Sequence, residues 1–283
     1  MSVPVVALPR PALRLAEPAP ARVGLAHGLA RAHAWLTRGT LRMPVLSVLD
    51  RVLPRGPLPQ VAATFAPGVS LRLDGALARA AVIAAGYEHR EAEVLAAALR
   101  PDGVFIDVGA NVGWFSLLIG THRPDAVVWA LEPVPATADL LAANLLAAGL
   151  PAVELIRLAA GPRRGSAEFT THTDSAYAHQ TDLDAGRVPQ VETGAVRCEV
   201  VPLDELWAAR GRPRVDAIKV DVEGAEPDVL RGATAILRRD MPLLVVEAPT
   251  AFAQDDLRAR LGPLGYRRRR CPGALPYNAV FTA

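Results

Sequence analysis

Val104-Phe105-Ile106-Asp107-Val108-Gly109-Ala110-Asn111-Val112-Gly113 is the stretch on which the fold turns. An apolar run ends near a carboxylate and passes straight into a loop with glycines at both ends. Such a run reads as a strand buried on both faces, as in a parallel sheet. The glycines permit a tight turn and close approach of a ligand. Working outward, similar apolar runs recur at 127–131, 153–159, 216–221 and 243–247. Helical patterns are expected at about 91–99, 113–120, 135–148, 226–238 and 254–261. Short buried strands alternating with helices define an α/β, doubly wound parallel sheet.

Two regions stand outside this alternation. Residues 162–202 read as an insertion, with 168–170 and 196–203 as an antiparallel pair around a polar loop, 171–195. Residues 1–60 read as a Pro/Ala/Arg-rich arm and helical extension ahead of a main domain at 61–283. Within it, 1–21 shows neither strand nor helix period and is expected to be a flexible arm. From 22 to 38, Leu25, Leu29, Ala32 and Leu36 share one helix face, with Arg31 and Arg38 nearly opposite. That pattern suits a helix packed on its own domain, or a basic helix touching a membrane surface or partner. Residues 69–73 alternate as a strand before an Asp74-Gly75 turn, and 266–270 with 277–282 read as a last hairpin turning at 271–273.

Composition removes several classes. Two cysteines, Cys198 and Cys271, rule out a disulfide scaffold and a Cys-rich zinc site. No apolar run reaches the roughly 18 residues of a membrane span, and the start lacks a secretory pattern, so a cytoplasmic protein is expected. Net charge is +2, but the first sixty residues carry +6, residues 267–270 carry +4, and 61–266 carry −8. An acidic body does not suit a nucleic-acid enzyme. Of 31 Lys plus Arg, one is lysine, Lys219. Where the background drives basic positions to arginine, a surviving lysine points to a need for the amine.

Ligands of an open α/β sheet bind beyond the carboxyl ends of the strands, at the crossover. The first strand supplies Asp107 and the loop Gly109, Ala110, Asn111 and Gly113; the second ends at Glu132-Pro133. Glu132 lies 19 residues past Gly113, near the spacing at which a carboxylate accepts both ribose hydroxyls. Asn111 replaces the middle glycine of a dinucleotide fingerprint, and Asp107 would repel a phosphate. A carboxylate favours a cationic ligand, so S-adenosylmethionine, with sulfonium, ammonium and ribose, is preferred over NAD. Strand four holds Ile218-Lys219-Val220-Asp221-Val222-Glu223-Gly224-Ala225-Glu226. Lys219, Asp221 and Glu223 alternate, so they share one side if the strand persists. Lys219 should pair with Asp221 or with Glu247, either as a structural ion pair or as part of a tuned general base. Glu226 before Pro227 suits the first turn of a helix.

The blocks 104–118, 130–145, 201–206, 218–233 and 242–247, with Gly86-Tyr87-Glu88 before the first strand, resemble the FkbM-type methyltransferases over about residues 70–250. The resemblance implies a class I, Rossmann-like methyltransferase fold: a seven-stranded sheet with an antiparallel last hairpin. It implies S-adenosylmethionine-dependent O-methylation of a secondary metabolite or glycan. It places Tyr87, Glu88, Asp107, Gly109, Ala110, Asn111, Gly113, Glu132, Pro133, Ala160 and Asp221 around the cofactor, with Ala160-Gly161 beside adenine and Asp221 facing the methyl group.

The expected base is Asp221, with Lys219, Glu223 and Glu247 as catalytic partners; His172 and His179 on the insertion are further candidates. Asp221 and Glu247 offer two oxygens to Mg²⁺, too few for a convincing site, so no metal is expected. The partner is a small molecule or glycan with a free hydroxyl. An N- or carboxyl-methyltransferase, or a non-catalytic nucleoside-binding module, would use the same fold. Asp221-Val222-Glu223-Gly224 stands where enzymes acting on base amines often carry [DN]PP[YFW], which argues against that group.

Overall fold

The computed structural model describes residues 3–10, 12–15, 61–66, 69–73, 88–172, 179–180 and 192–283. The expected helix at 22–38, the Pro/Gly segment 54–59, Tyr87 and most of the loop 171–195 lie outside them.

The central sheet uses β4 (Val104–Val108), β5 (Val127–Leu131), β6 (Val153–Ile156), β11 (Val215–Val220), β12 (Leu243–Glu247), β13 (Arg267–Arg269) and β14 (Asn278–Thr282). Their order is β13-β14-β12-β11-β4-β5-β6. The strands β6, β5, β4, β11 and β12 are parallel; β14 runs antiparallel to both β12 and β13. This is the seven-stranded class I arrangement. The connection direction reverses between β4 and β11, so their carboxyl ends open the ligand crevice. β4 and β11 are buried at every position, which explains their mostly apolar reading, interrupted by Asp107, Asp216 and Lys219.

Each face of the sheet has its own core. On one side, α1 (His89–Ala98), α2 (Trp114–His122) and α3 (Pro135–Ala148) contribute Leu95, Phe115, Leu117 and Leu141 to a layer against Phe105 and Val128. On the other, α4 (Leu203–Ala209), α5 (Glu226–Arg231), α6 (Thr234–Asp240) and α7 (Ala251–Leu261) bring Trp207, Val229, Ile236 and Leu257 against Ile106, Ile218 and Leu244. The sheet is thus sealed by helices on both sides.

Several expectations are corrected. Residues 12–15 form a strand, β1 (Ala12–Leu15), antiparallel to β2 (Val61–Ala66), which pairs with β3 (Val69–Leu73). Its partner is some fifty residues away, so local pattern could not show it. Leu8 is buried, and its carbonyl accepts a 2.9 Å bond from His89 Nε2 if that nitrogen carries the proton. The small sheet therefore draws on both sides of residue 60, and Phe65 packs edge-on to Trp114 at 5.5 Å.

The third strand stops at Ile156; β7 (Ala159–Ala160) joins a separate sheet, parallel to β10 (Glu192–Val201). β10 pairs antiparallel with β8 (Gly165–His172), and β9 (His179–Gln180) lies outside β8, so the inserted pair forms with longer strands than expected. The helix expected over 226–238 is two, broken at Gly232-Ala233. A Cβ on Gly232 would lie 2.0 Å from the Gly161 carbonyl oxygen. The close approach admits only glycine at position 232. α7 starts at Ala251 rather than 254 because Thr250 caps it, accepting from Ala253 N at 3.1 Å.

Candidate active site

The loop after β4 is built around its backbone. Gly109 has φ +77°, and a Cβ there would lie 1.9 Å from the Asp221 carbonyl oxygen. Only glycine lets the two strand ends meet, and Asp221 N completes the contact by donating to Val108 O at 3.1 Å. Asn111 holds a left-handed φ of +49°. Gly113 is different: its Cβ would meet Leu141 and Leu117 side chains, so it serves helix packing.

Glu132 organises the loop from the neighbouring strand. Its Oε2 accepts from Asn111 N and its Oε1 from Val134 N, each at 3.0 Å. Burial, against those two bonds, pushes its acid up to about 7, and the charge on Asp107 adds to the rise. Each oxygen retains a further lone-pair direction.

Asp107 is buried beneath the loop. Ser116 Oγ donates to its Oδ2 at 2.6 Å, while Oδ1 has no hydrogen-bond partner. Burial raises its pKa, opposed by Lys219 and Ser116.

Lys219, in β11, is 4% exposed. Its Nζ donates to Asp221 Oδ2 at 2.9 Å and lies 4.7 Å from the Phe115 ring centre. Burial alone would lower its pKa, but Asp221, Glu88 and Asp107 outweigh that and hold the ammonium above its usual range. The pairing expected with Asp221 forms; Glu247 interacts with Lys219 only through the field.

β11 ends at Val220, so the alternation of Asp221 and Glu223 is broken, and Glu223 turns left-handed at φ +53°. Both still line the pocket. Glu226, expected only as a first-turn acid, is a clamp: its Oε1 accepts from Val222 N and Gly224 N, each at 3.1 Å.

These parts surround a cavity of about 190 Å³ at the crossover. Of the expected residues, Glu88, Gly109, Ala110, Asn111, Glu132, Pro133, Lys219, Asp221, Glu223 and Glu247 line it. Asp107 and Gly113 do not: Asp107 is buried beneath the loop, and Gly113 packs against Leu117 and Leu141. Ala160 lines a small adjoining cavity that shares Gly109, Pro133 and Val222. The backbones of His172 and His179 lie in β8 and β9, and their side chains fall outside the described residues. Sequence reasoning missed Tyr277, Phe169, Trp114 and Phe115 as lining residues. Tyr277 and Phe169 come from elements distant in sequence, whereas Trp114 and Phe115 directly follow the 109–113 loop and read in sequence only as the apolar start of a helix.

The electrostatics are strongly acidic. Glu88 has φ +46° and is 3% exposed; Asn278 Nδ2 donates to its Oε1 at 2.8 Å. Burial pushes its acid to about 8 despite Lys219. Glu247 rises to about 9 through burial and then Asp221, Glu223 and Glu226. Asp221, Glu223 and Glu247 offer oxygens within 4.8 Å of one another, a set able to ligate a divalent cation. The sequence reading counted two of the three.

This donor set fits a cationic nucleoside better than a phosphate-bearing one: five carboxyl groups line the pocket beside one ammonium, with Glu88 and Glu247 the two that burial holds protonated near neutrality. Fold and site together define a class I methyltransferase-like α/β protein. Residues 107–268 match the family model described as Methyltransferase FkbM domain. The match covers more than half of the chain, and the chain belongs to this family. It is 33% identical to Methyltransferase 1 of Beauveria bassiana, over 47% of this chain and 59% of that protein. It is 31% identical to the 31-O-demethyl-FK506 methyltransferase FkbM of Streptomyces tacrolimicus, over 47% and 60%. It is 28% identical to the 2-O-methyltransferase NoeI of Sinorhizobium fredii, over 50% and 61%. The chain thus spans about three-fifths of the length of these curated relatives. No helix among the described residues is long and apolar enough to cross a membrane.

Proposed function

We propose that the protein transfers a methyl group from S-adenosylmethionine to a hydroxyl of a small molecule or glycan. The observation that carries this reading is the acidic pocket at the β4/β11 crossover, with Glu132 poised against the Asn111 loop. The names of two relatives specify O-methylation, which supports a hydroxyl acceptor.

When bound, the cofactor supplies the electrophilic methyl on its sulfonium. Glu132 accepts the ribose hydroxyls while holding two backbone amides. Gly109, Ala110 and Asn111 present backbone to the methionine portion, and the buried carboxylate of Asp107 supplies a negative field beneath it. Ala160 borders the base. Tyr87, outside the described residues, is assigned to the cofactor by resemblance alone.

Asp221 accepts the acceptor's proton. Lys219 holds and orients Asp221, because an ammonium kept charged donates and does not abstract. Glu223 and Glu247 complete the acceptor side, and Glu247 is protonated near neutrality, so it can donate to an acceptor oxygen. Alignment supplies much of the acceleration, and the base assists a poorly nucleophilic alcohol. The test uses radiolabelled S-adenosylmethionine with a panel of hydroxylated acceptors. Label transfer that is lost in Asp221→Asn, with cofactor binding retained, supports the assignment. Normal transfer in that variant overturns it.

A further inference from the structure

The arginine run at 267–270 has no part in the methyl-transfer pocket, yet it lies on the same edge of the sheet. β13 runs parallel to β12, because both are antiparallel to β14. Its carboxyl end therefore emerges on the same side of the sheet as the carboxyl ends of β12 and β11, with β14 between β13 and β12. There Arg258, Arg268, Arg269 and Arg270 border a second cavity, of about 490 Å³, with Cys271 and Asn278 in its wall.

Among the described residues, one side-chain carboxylate, Asp255, pairs with or acts on these four arginines. Arg258 pairs with Asp255, and the same Asp255 is the carboxylate that acts on Arg268. Arg269 is bonded to Thr282 Oγ1, a neutral acceptor, and to the main-chain oxygen of Ala283, the last residue described. Burial and the neighbouring Arg258 lower the pKa of Arg268, as expected where like charges are crowded.

The cavity is joined to the active site through one side chain. Asn278 lines it and also donates to Glu88 Oε1 at 2.8 Å and Glu91 Oε1 at 3.0 Å. Glu88 lines the methyl-transfer pocket, as does Tyr277, the residue before Asn278. One edge thus offers an acidic pocket and, across the 275–278 segment, a basic one.

We propose that the arginine cavity binds a phosphoryl group carried by the acceptor, so that the substrate is a phosphorylated hydroxy compound spanning both cavities. Guanidinium forks match phosphate oxygens, and four of them exceed what Asp255 and the terminal oxygens of Ala283 would balance. The acidic pocket would repel the same group, which fixes the acceptor's direction. This rests on the transferase reading above.

The full chain is titrated calorimetrically with inorganic pyrophosphate at low salt. Saturable one-to-one binding is expected, weakened at least tenfold in the Arg268→Ser/Arg270→Ser double variant. S-adenosylmethionine binding and Tm should not change. Pyrophosphate should also slow alkylation of Cys271, with buried Cys198 as the silent control. No saturable binding, binding indifferent to the double variant, or an unprotected Cys271 overturns the proposal. So does Arg268/Arg270-dependent sedimentation with phosphatidylglycerol vesicles, which would make the phosphate a lipid headgroup. Loss of S-adenosylmethionine binding in the unmodified chain would instead sink the transferase reading, and the pyrophosphate titration would still be read on its own.

Discussion

Lys219 Nζ and Asp221 Oδ2 lie 2.9 Å apart at the end of β11, and the lysine side chain is 5% exposed against 26% for the aspartate. The ammonium is sealed below the pocket while the carboxylate opens into it. That asymmetry assigns the two residues different work. Lysine fixes charge from beneath, and aspartate is left to meet a substrate.

Replacing Lys219 by methionine keeps length and removes charge. Asp221, Glu88 and Asp107 then lose their shared cation. The expected cost is about 3–5 kcal/mol at pH 8, the range for breaking a buried pair. The cost should shrink by pH 5.5, because protons can replace the missing charge. Denaturant melts at both pH values check this, and an equal loss at both would overturn the electrostatic account. Lys219→Arg preserves charge but crowds a buried site beside Phe115, so it should cost about 1–3 kcal/mol through overpacking.

Glu132 links cofactor affinity to pH. Its carboxyl, raised to about 7 mainly by burial, must be ionised to accept two ribose hydroxyls. S-adenosylmethionine affinity should therefore climb as pH rises toward about 7 and level off above it. In the cofactor-free protein the sign is opposite. A raised pKa favours the folded state at low pH, and that contribution is lost as pH rises through about 7. Glu132→Gln should flatten the affinity profile and weaken binding about ten- to hundredfold, the loss of a charged hydrogen bond or two. Calorimetry between pH 5.5 and 8.5 reads both effects.

Gly109 and Gly149 separate two costs of adding a methyl group. Both have positive φ, +77° and +64°, but only Gly109 meets another atom, the Asp221 carbonyl oxygen at 1.9 Å. Gly149, at the end of α3, has nothing within 4 Å of its Cβ. Gly149→Ala should cost about 1 kcal/mol, from backbone strain alone. Gly109→Ala must also part β4 from β11, so it should lose several times more stability and all measurable cofactor binding. Similar Tm values for the two variants would contradict the packing described.

Much of this architecture was legible because buried parallel strands need continuous apolar residues, and polar residues at their carboxyl ends have few structural reasons to be there. Asp107, Glu132, Asp221 and Glu247 were visible on that ground. What stayed hidden depends on partners far away in sequence. β1 exists through β2, fifty residues on. The glycine at the helix break, Gly232, is required because Gly161 passes against it. Tyr277 reaches the pocket from the start of the last strand. Asp107 was expected to line the pocket, and it is buried beneath the loop, where Ser116 donates to it.

Glu226 carries the last prediction. One oxygen, Oε1, accepts from both Val222 N and Gly224 N, so a single side chain shapes the loop between Asp221 and α5. Burial raises its acid, and the two backbone donors oppose that rise. Glutamine carries an amide oxygen where the carboxylate Oε1 stands and needs no charge to accept both bonds. Glu226→Gln should therefore behave nearly as the parent in Tm and in S-adenosylmethionine binding. Glu226→Ala leaves two amides unsatisfied at about 1–3 kcal/mol, and frees Glu223 and Asp221 to shift. Cofactor binding should weaken about tenfold or more. If alanine and glutamine were equally damaging, the charge of Glu226 rather than its bonds would be what the site uses.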